Sequence, residues 1–310
     1  MRETVLLKAI DLLEKKDFHV SSFIYSNSCF DLVAKKQNLT FLIKVYSNID
    51  SIREEQALEL LKLSSILNAR AIVLGERTKV FKLKQGIVYE RYSLPVMAIA
   101  SFNDFLNESI PSIKFFKGKN IVELDAERLK EKRESLNLSL QELAEKIHST
   151  RESLYRYEQG NPAELENVQR LEKVLKISLI KEPDSFEEFF EEFSPAKKIE
   201  FSAHINDKAL EKIHELGFNL VLFEHAPFKA ITNPEESLLI SKASQKSELA
   251  KKVSALESAK SVIPGHSLIV TKHINLKNIS QTPLIEEEEL STFSKRKDLL
   301  KELKKREQSK

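Results

Sequence analysis

The chain has 310 residues, of which 41% are hydrophobic and 31% charged, a length and balance that allow two or three domains with real cores and exclude large-scale disorder. A single cysteine, Cys29, excludes an internal disulfide framework and a zinc finger, and reads as a small buried apolar residue. The net charge of +2 selects no partner. No run approaches the roughly 18 apolar residues of a membrane helix, and Lys8, Asp11, Glu14, Lys15 and Lys16 spoil a signal peptide, so a cytoplasmic protein without a membrane partner is expected.

Residues 1-118 are expected to form a small α/β domain. Val5, Leu6, Ala9, Ile10 and Leu13 give a first helix its apolar stripe, followed by strands at Phe18 to Tyr25, Phe30 to Lys35 and Leu39 to Tyr46. A helix from Glu54 to about Leu67, with Ala57, Leu60, Leu61 and Ser64 inward, then leads to a short buried strand at 71 to 74. With Asp31 on the second strand and Lys44 on the third, this order resembles the nuclease-like fold of archaeal Holliday-junction resolvases and related restriction-type endonucleases. The resemblance implies an Asp on one strand and an acid-x-Lys on the next, the carboxylates holding Mg²⁺ and the Lys stabilising phosphate charge. Here the acid position is Leu42. Asp31 and Lys44 are therefore read as vestigial, with Glu3 the one further acid offered, and neither a metal site nor catalytic residues are expected.

Residues 121-180 carry the strongest pattern. Leu136, Leu138, Leu143, Ala144, Ile147, Leu154 and Tyr157 recur at helical spacing but in short segments, as in several small helices sharing one core. Asp125 is placed to cap a first helix, Ser139 with Glu142 has capping-box spacing before a second, and Thr150 caps a third that runs from Arg151 to Glu158 and ends at Gly160. A fourth follows Pro162, burying Leu165, Val168, Leu171 and Leu175. This block resembles the lambda-repressor and Cro-like helix-turn-helix family. The resemblance implies a structural ion pair between Arg133 and Glu158, and a recognition helix (151-158) entering the major groove with Thr150, Arg151, Glu152, Ser153 and Arg156 on its surface. Arg can bond a guanine edge twice, Glu can accept from cytosine, and Tyr155 is placed to lie beside the sugar-phosphate backbone. The block departs from the family at His148, where a turn Gly is common, and at Leu140, where a phosphate donor is common. Its 10 Lys and Arg face 12 Asp and Glu, so local charge from Lys130, Lys132, Lys146, Arg151 and Arg156 has to serve.

Residues 114 to 120 read as a linker between the first two domains, and 181-200 as a second linker. In the latter, Phe186, Phe189, Phe190 and Phe193 alternate with acids and suit docking onto a neighbouring domain or chain. A C-terminal α/β domain, 201-285, repeats the first weakly: residues 18 to 24 match 218 to 224, 42 to 45 match 239 to 243, and a helix from Ser247 to Leu256 precedes a strand at 267 to 271. In this possible duplication Lys229 or Ala230 stands near the place of Asp31, and Ile240 at that of Leu42. Residues 286-310 read as a charged tail.

The expected fold is thus α/β plus all-α, with a central four-to-five-helix Cro/repressor-like domain between two small nuclease-like α/β domains. The whole order resembles a family of archaeal helix-turn-helix transcriptional regulators of about this length. That resemblance implies a sequence-specific regulator of transcription that binds double-stranded DNA, expected as a homodimer because one recognition helix covers few base pairs. No cofactor is indicated, and no Gly-rich phosphate loop points to an effector. The alternatives are a structure-specific, Mg²⁺-dependent endonuclease and a noncatalytic assembly module.

Overall fold

The computed structural model describes residues 2–23, 28–193, 205–232 and 237–308. Residues 24 and 25 of the first expected strand, 194–200 of the second expected linker, 201–204 and 233–236 of the expected C-terminal domain and 309–310 of the expected tail lie outside the described residues.

The first half of the chain comprises α1 (Arg2–Glu14), β1 (His19–Ser22), β2 (Leu32–Lys36), β3 (Leu39–Asn48), α2 (Glu54–Ile66), β4 (Arg70–Arg77), β5 (Ile87–Arg91), β6 (Leu94–Ala98), α3 (Ile99–Leu106), β7 (Ile113–Phe116) and β8 (Lys119–Val122). Next come α4 (Ala126–Ser135), α5 (Leu140–Lys146), α6 (Arg151–Glu158), β9 (Ala163–Glu164), α7 (Leu165–Leu175) and α8 (Phe186–Glu191). The remainder holds α9 (Lys208–Glu215), β10 (Leu220–Leu222), β11 (Ala230–Thr232), β12 (Leu238–Ala243), α10 (Lys246–Lys260), β13 (His266–Thr271), β14 (Asn278–Ile279), β15 (Thr282–Glu286), α11 (Glu287–Leu290) and α12 (Arg296–Gln308).

Packing divides the chain into two compact units. One comprises Met1–Ala9, Tyr46–Ser51 and Val73–Ser194; the other Ile10–Val45, Ile52–Ile72 and Pro195–Lys310. β3 and β4 each have residues in both, so residue 118 is not a packing boundary.

The two α/β regions share a strand order. The first α/β region runs β1-β2-β3-β4-β6-β5 and the second β10-β11-β12-β13-β15-β14, the same order with the same crossover. In each, the fourth strand pairs parallel with the last and the penultimate strand pairs antiparallel with it. β3 is buried without interruption from Phe41 to Val45, Lys44 included, as in strands covered on both faces. Backbone bonds also correspond. The Asp31 N–H donates to the Ile43 carbonyl at 2.8 Å and the Asp31 carbonyl accepts from Phe23, while the Lys229 N–H donates to the Ile240 carbonyl at 2.7 Å and the Lys229 carbonyl accepts from Phe223. By this register Lys229 stands where Asp31 does, Ser241 where Lys44 does, and Leu239 where Leu42 does. The match of Ile240 to Leu42 is thus one residue out; matching apolar letters hides a slip that the ladder bonds expose.

Within the second unit the two regions pack on each other reciprocally. The Glu59 carboxylate of α2 accepts from the Glu224 and His225 backbone N–H groups at 2.6 Å each, and Lys62 donates to the Leu222 carbonyl at 3.2 Å while lying over the Phe223 ring. In the other direction, Ser261 and Val262 at the end of α10 meet Ser21 and Lys35 of β1 and β2.

Three further expectations change. Residues 114 to 120 are not a linker but the hairpin β7–β8, whose outer pairings with β5 and β9 are non-local and leave no local apolar signal. The described part of 286-310 is not a free tail: Leu299 and Leu303 of α12 are fully buried against Leu210, Leu268 and Ile285, and Arg306 reaches the Leu284 carbonyl and Glu289. Within 181-200 the described part contains α8, where Phe186, Phe189 and Phe190 lie 4.6, 5.3 and 6.0 Å from the Phe105 ring of α3 in the same unit.

Candidate nucleic-acid interface

The helix-turn-helix is assembled by local capping chemistry. The Asp125 carboxylate accepts from the Arg128 N–H at 2.9 Å to start α4. Ser139 and Glu142 form a complete capping box at α5, the hydroxyl accepting from the Glu142 N–H at 3.2 Å and the carboxylate from the Ser139 N–H at 2.8 Å; these bonds hold the Glu142 carboxyl below its ordinary range. Thr150 accepts from the Ser153 N–H at 3.1 Å at the start of α6. Each bond satisfies a donor that the first turn of a helix leaves without an intrahelical partner. The turn between α5 and α6 places His148 at φ +55°, the left-handed backbone that Gly adopts without cost.

α4, α5, α6 and α7 close over one core in which Leu129, Leu143, Ala144, Ile147, Leu154, Val168, Leu171 and Leu175 are buried. On α6 this assigns the faces: Leu154 and Tyr157 point inward, while Thr150, Arg151, Glu152, Tyr155 and Arg156 are exposed and Ser153 is half-buried. Among the described residues neither Arg151 nor Arg156 is engaged by an acid. Thr150 also donates to the Ser153 hydroxyl at 3.0 Å, which ties two of the six candidate side chains to the helix start. Leu140 is half-buried beside the same core and offers no donor to a phosphate.

Arg133 and Glu158 join α4 to the end of α6. The guanidinium grips the carboxylate twice, at 2.6 and 3.0 Å, and donates to the Leu138 carbonyl at 2.9 Å, with the two side chains 11% and 5% exposed. Glu158 holds the Arg133 guanidinium above its ordinary pKa. A two-point bond of this kind fixes the azimuth of α6, and so fixes which residues face outward.

The nuclease-like positions are arranged differently. Asp31 is fully buried; one carboxylate oxygen meets Lys44 Nζ at 3.0 Å and the other accepts from the Val45 N–H at 2.8 Å, while Nζ also donates to the Ser28 carbonyl at 2.5 Å. Leu42, two residues before Lys44, is fully buried and paired with Val33. In the second region the corresponding Lys229 pairs with Glu224 and Ser241 bonds the Pro227 carbonyl. Among the described residues no group of three or more His, Cys, Asp and Glu is placed to hold a metal ion.

A helix-turn-helix family model matches residues 129–181, and a model of a PD-(D/E)XK superfamily domain matches residues 2–111. Over the full length the chain is similar to proteins named "Putative HTH-type transcriptional regulatory protein": 31% identity with one from Archaeoglobus fulgidus over 98% of both chains, and 30% with one from Methanocaldococcus jannaschii over 98% of this chain and 97% of that one. A Methanococcus maripaludis relative is 32% identical over the whole of this chain. The chain belongs to this family of archaeal HTH-type regulators. No solved structure matches it. The two matches cover the two elements described above, the helix-turn-helix with its outward-facing third helix and the PD-(D/E)XK-like domain. Among the described residues no helix is long and apolar enough to cross a membrane.

Proposed function

We propose that the chain is a sequence-specific regulator of transcription that reads the major groove with α6, through Arg151, Glu152, Ser153 and Arg156, while Thr150 and Tyr155 contact the backbone. The carrying observation is the division of α6 into a buried Leu154–Tyr157 side, locked by the Arg133–Glu158 pair, and an outward side bearing two arginines with no acidic partner among the described residues. Arg presents a fork that fits the two acceptors on a guanine edge. The flanking α/β regions are read as an internal duplication that has given up catalysis: their shared strand order supports one origin, and Leu42 and Leu239 at the acid position leave Asp31 and Lys44 a structural pair. On this reading the protein has no catalytic residues, works in the cytoplasm and binds as a homodimer whose two readers fall one helical turn of DNA apart.

The test is binding of the full chain to a pool of random duplexes at several salt concentrations, with Arg151→Ala and Arg156→Ala beside wild type. Loss of a base-reading arginine should weaken the selected site by about 1 to 3 kcal/mol and relax its base preference at one position. Identical binding by both variants and wild type refutes α6 as the reader. The PD-(D/E)XK match gives one rival a footing, a Mg²⁺-dependent endonuclease acting on branched DNA. Cleavage that vanishes in Asp31→Ala while the fold persists would establish it.

A further inference from the structure

The hairpin β7–β8 is joined to the helix-turn-helix by backbone bonds. β8 pairs with β9 through Ile121 with Glu164 and Val122 with Ala163, and β9 begins shortly after α6 ends. Beyond β8, the Asp125 N–H donates to the Leu179 carbonyl at 3.0 Å and the Lys181 N–H to the Glu123 carbonyl at 2.9 Å. The hairpin therefore moves with the domain that carries α6.

Its tip is built unusually. Phe116 pairs with Lys119 across a two-residue turn in which Lys117 and Gly118 both have positive φ, +47° and +85°. Such turns favour Asn, Asp or Gly at the first place, since a longer side chain meets steric cost there. A lysine occupies it here. Lys117 Nζ lies 5.1 Å from the centre of the Phe116 ring, which is 51% exposed. The neighbouring lysines serve the hairpin itself: Lys114 bridges Glu123 and Glu192, and Lys119 bonds Glu164. Lys117 alone of these three meets no acid among the described residues.

Lys117 stands four positions before the pairing at Ile121, a reach of roughly 13 Å at about 3.3 Å per residue. β9 follows α6 in the chain and pairs with β8, so the exposed hairpin tip belongs to the same domain as α6. We infer that Lys117, propped on Phe116, is a second DNA contact, an ion pair to a backbone phosphate flanking the site read by α6. The inference rests on α6 being the reader.

The experiment is a salt titration of full-length protein on the duplex selected by wild type. Lys117→Asn removes the charge and suits the left-handed turn; Lys117→Arg keeps the charge. The slope of log affinity against log salt should become shallower by about 0.9 in Lys117→Asn, with base preference unchanged, and return in Lys117→Arg. Hydroxyl-radical protection should be lost on the flanking sugars only. A wild-type slope in Lys117→Asn overturns the inference while leaving α6 as the reader, as does a loss of base preference, which would make the hairpin a base reader. If wild type selects no site at all, the reading of α6 fails first and this contact fails with it.

Discussion

The two α/β regions agree in strand order and in the backbone bonds at the entry to their second strands, yet they disagree in the side chains those bonds position. Asp31 and Lys44 form a buried pair in the first; Lys229, half-exposed beside Glu224, and Ser241 stand at the same places in the second. The comparison separates what makes this fold from what its polar positions leave free. The apolar runs and the ladder specify the topology, while the polar positions are free to become a structural pair in one region and a surface pair in the other.

The largest expected effect tests that separation directly. Asp31→Ala takes away the carboxylate that meets Lys44 in the interior, and should cost about 3 to 5 kcal/mol, because a charge stripped of a buried partner is poorly solvated. Lys229→Ala, at the equivalent place, should change stability by no more than about 0.5 kcal/mol. Urea midpoints of the two variants measure the contrast. The double variant Asp31→Leu with Lys44→Met should recover most of the loss, since replacing both members of a buried pair by apolar groups is often close to neutral. Equal losses for Asp31→Ala and Lys229→Ala would mean that the two positions carry the same structural duty.

A second contrast lies at the entry to the fourth strand of each region. Gly265 precedes β13 at φ +141°, and a methyl group built there would stand 2.1 Å from the Ser237 carbonyl oxygen. Ala69 precedes β4 with an ordinary side chain, and its N–H donates to the Ser64 carbonyl at 2.8 Å. Gly265→Ala should therefore destabilise by roughly 3 kcal/mol, combining backbone strain with overpacking against a carbonyl that cannot turn aside. Ala69→Gly should cost only about 0.5 to 1 kcal/mol through chain entropy. Thermal melts of the pair give the comparison, and a mild Gly265→Ala would show that β12 and β13 can separate there without loss.

What could be read from the residues follows the range of the interaction. The caps at Asp125, Ser139 with Glu142, and Thr150 are readable because each side chain bonds a backbone group three residues away, so spacing alone reveals it. The outward set on α6 follows from the 3.6-residue period once Leu154 and Tyr157 are placed inside. The hairpin was hidden because LysGlyLysAsn at 117 to 120 has the composition of a solvated loop, and only its distant partners β5 and β9 make it a strand pair. The last helix was hidden by its charge: Leu299, Leu303 and Arg306 have helical spacing, but eight basic residues among the last sixteen suggest solvent unless the stems of such side chains are allowed to bury. At the nuclease-like positions the sequence shows no acid two residues before Lys44, whereas the bond between Asp31 and Lys44 needed the register of β2 against β3.

The smallest expected effect concerns how the helix before each set of strands begins. α9 is capped by Asp207, whose carboxylate accepts from the Ala209 and Leu210 N–H groups at 3.0 and 3.1 Å and meets Lys242 at 2.7 Å. Partial burial works to raise the Asp207 pKa, but the Lys242 bond and the two backbone donors outweigh it and leave the group below its ordinary value of 3.8. A carboxyl whose pKa is depressed by folding stabilises the native state fully above its unfolded pKa, and that contribution fades as pH falls through the lower, folded value. Asp207→Asn preserves a good capping residue and removes only the charge, so it should cost less than about 1 kcal/mol at pH 7 for a pair this exposed. The difference from wild type should shrink below pH 3.8 and vanish once wild-type Asp207 is protonated in the folded state. Denaturation midpoints taken between pH 7 and pH 2 follow this directly. A gap that stays constant across that range would mean that Asp207 acts through cap geometry, and that its charge plays no part in setting the second region apart from the first.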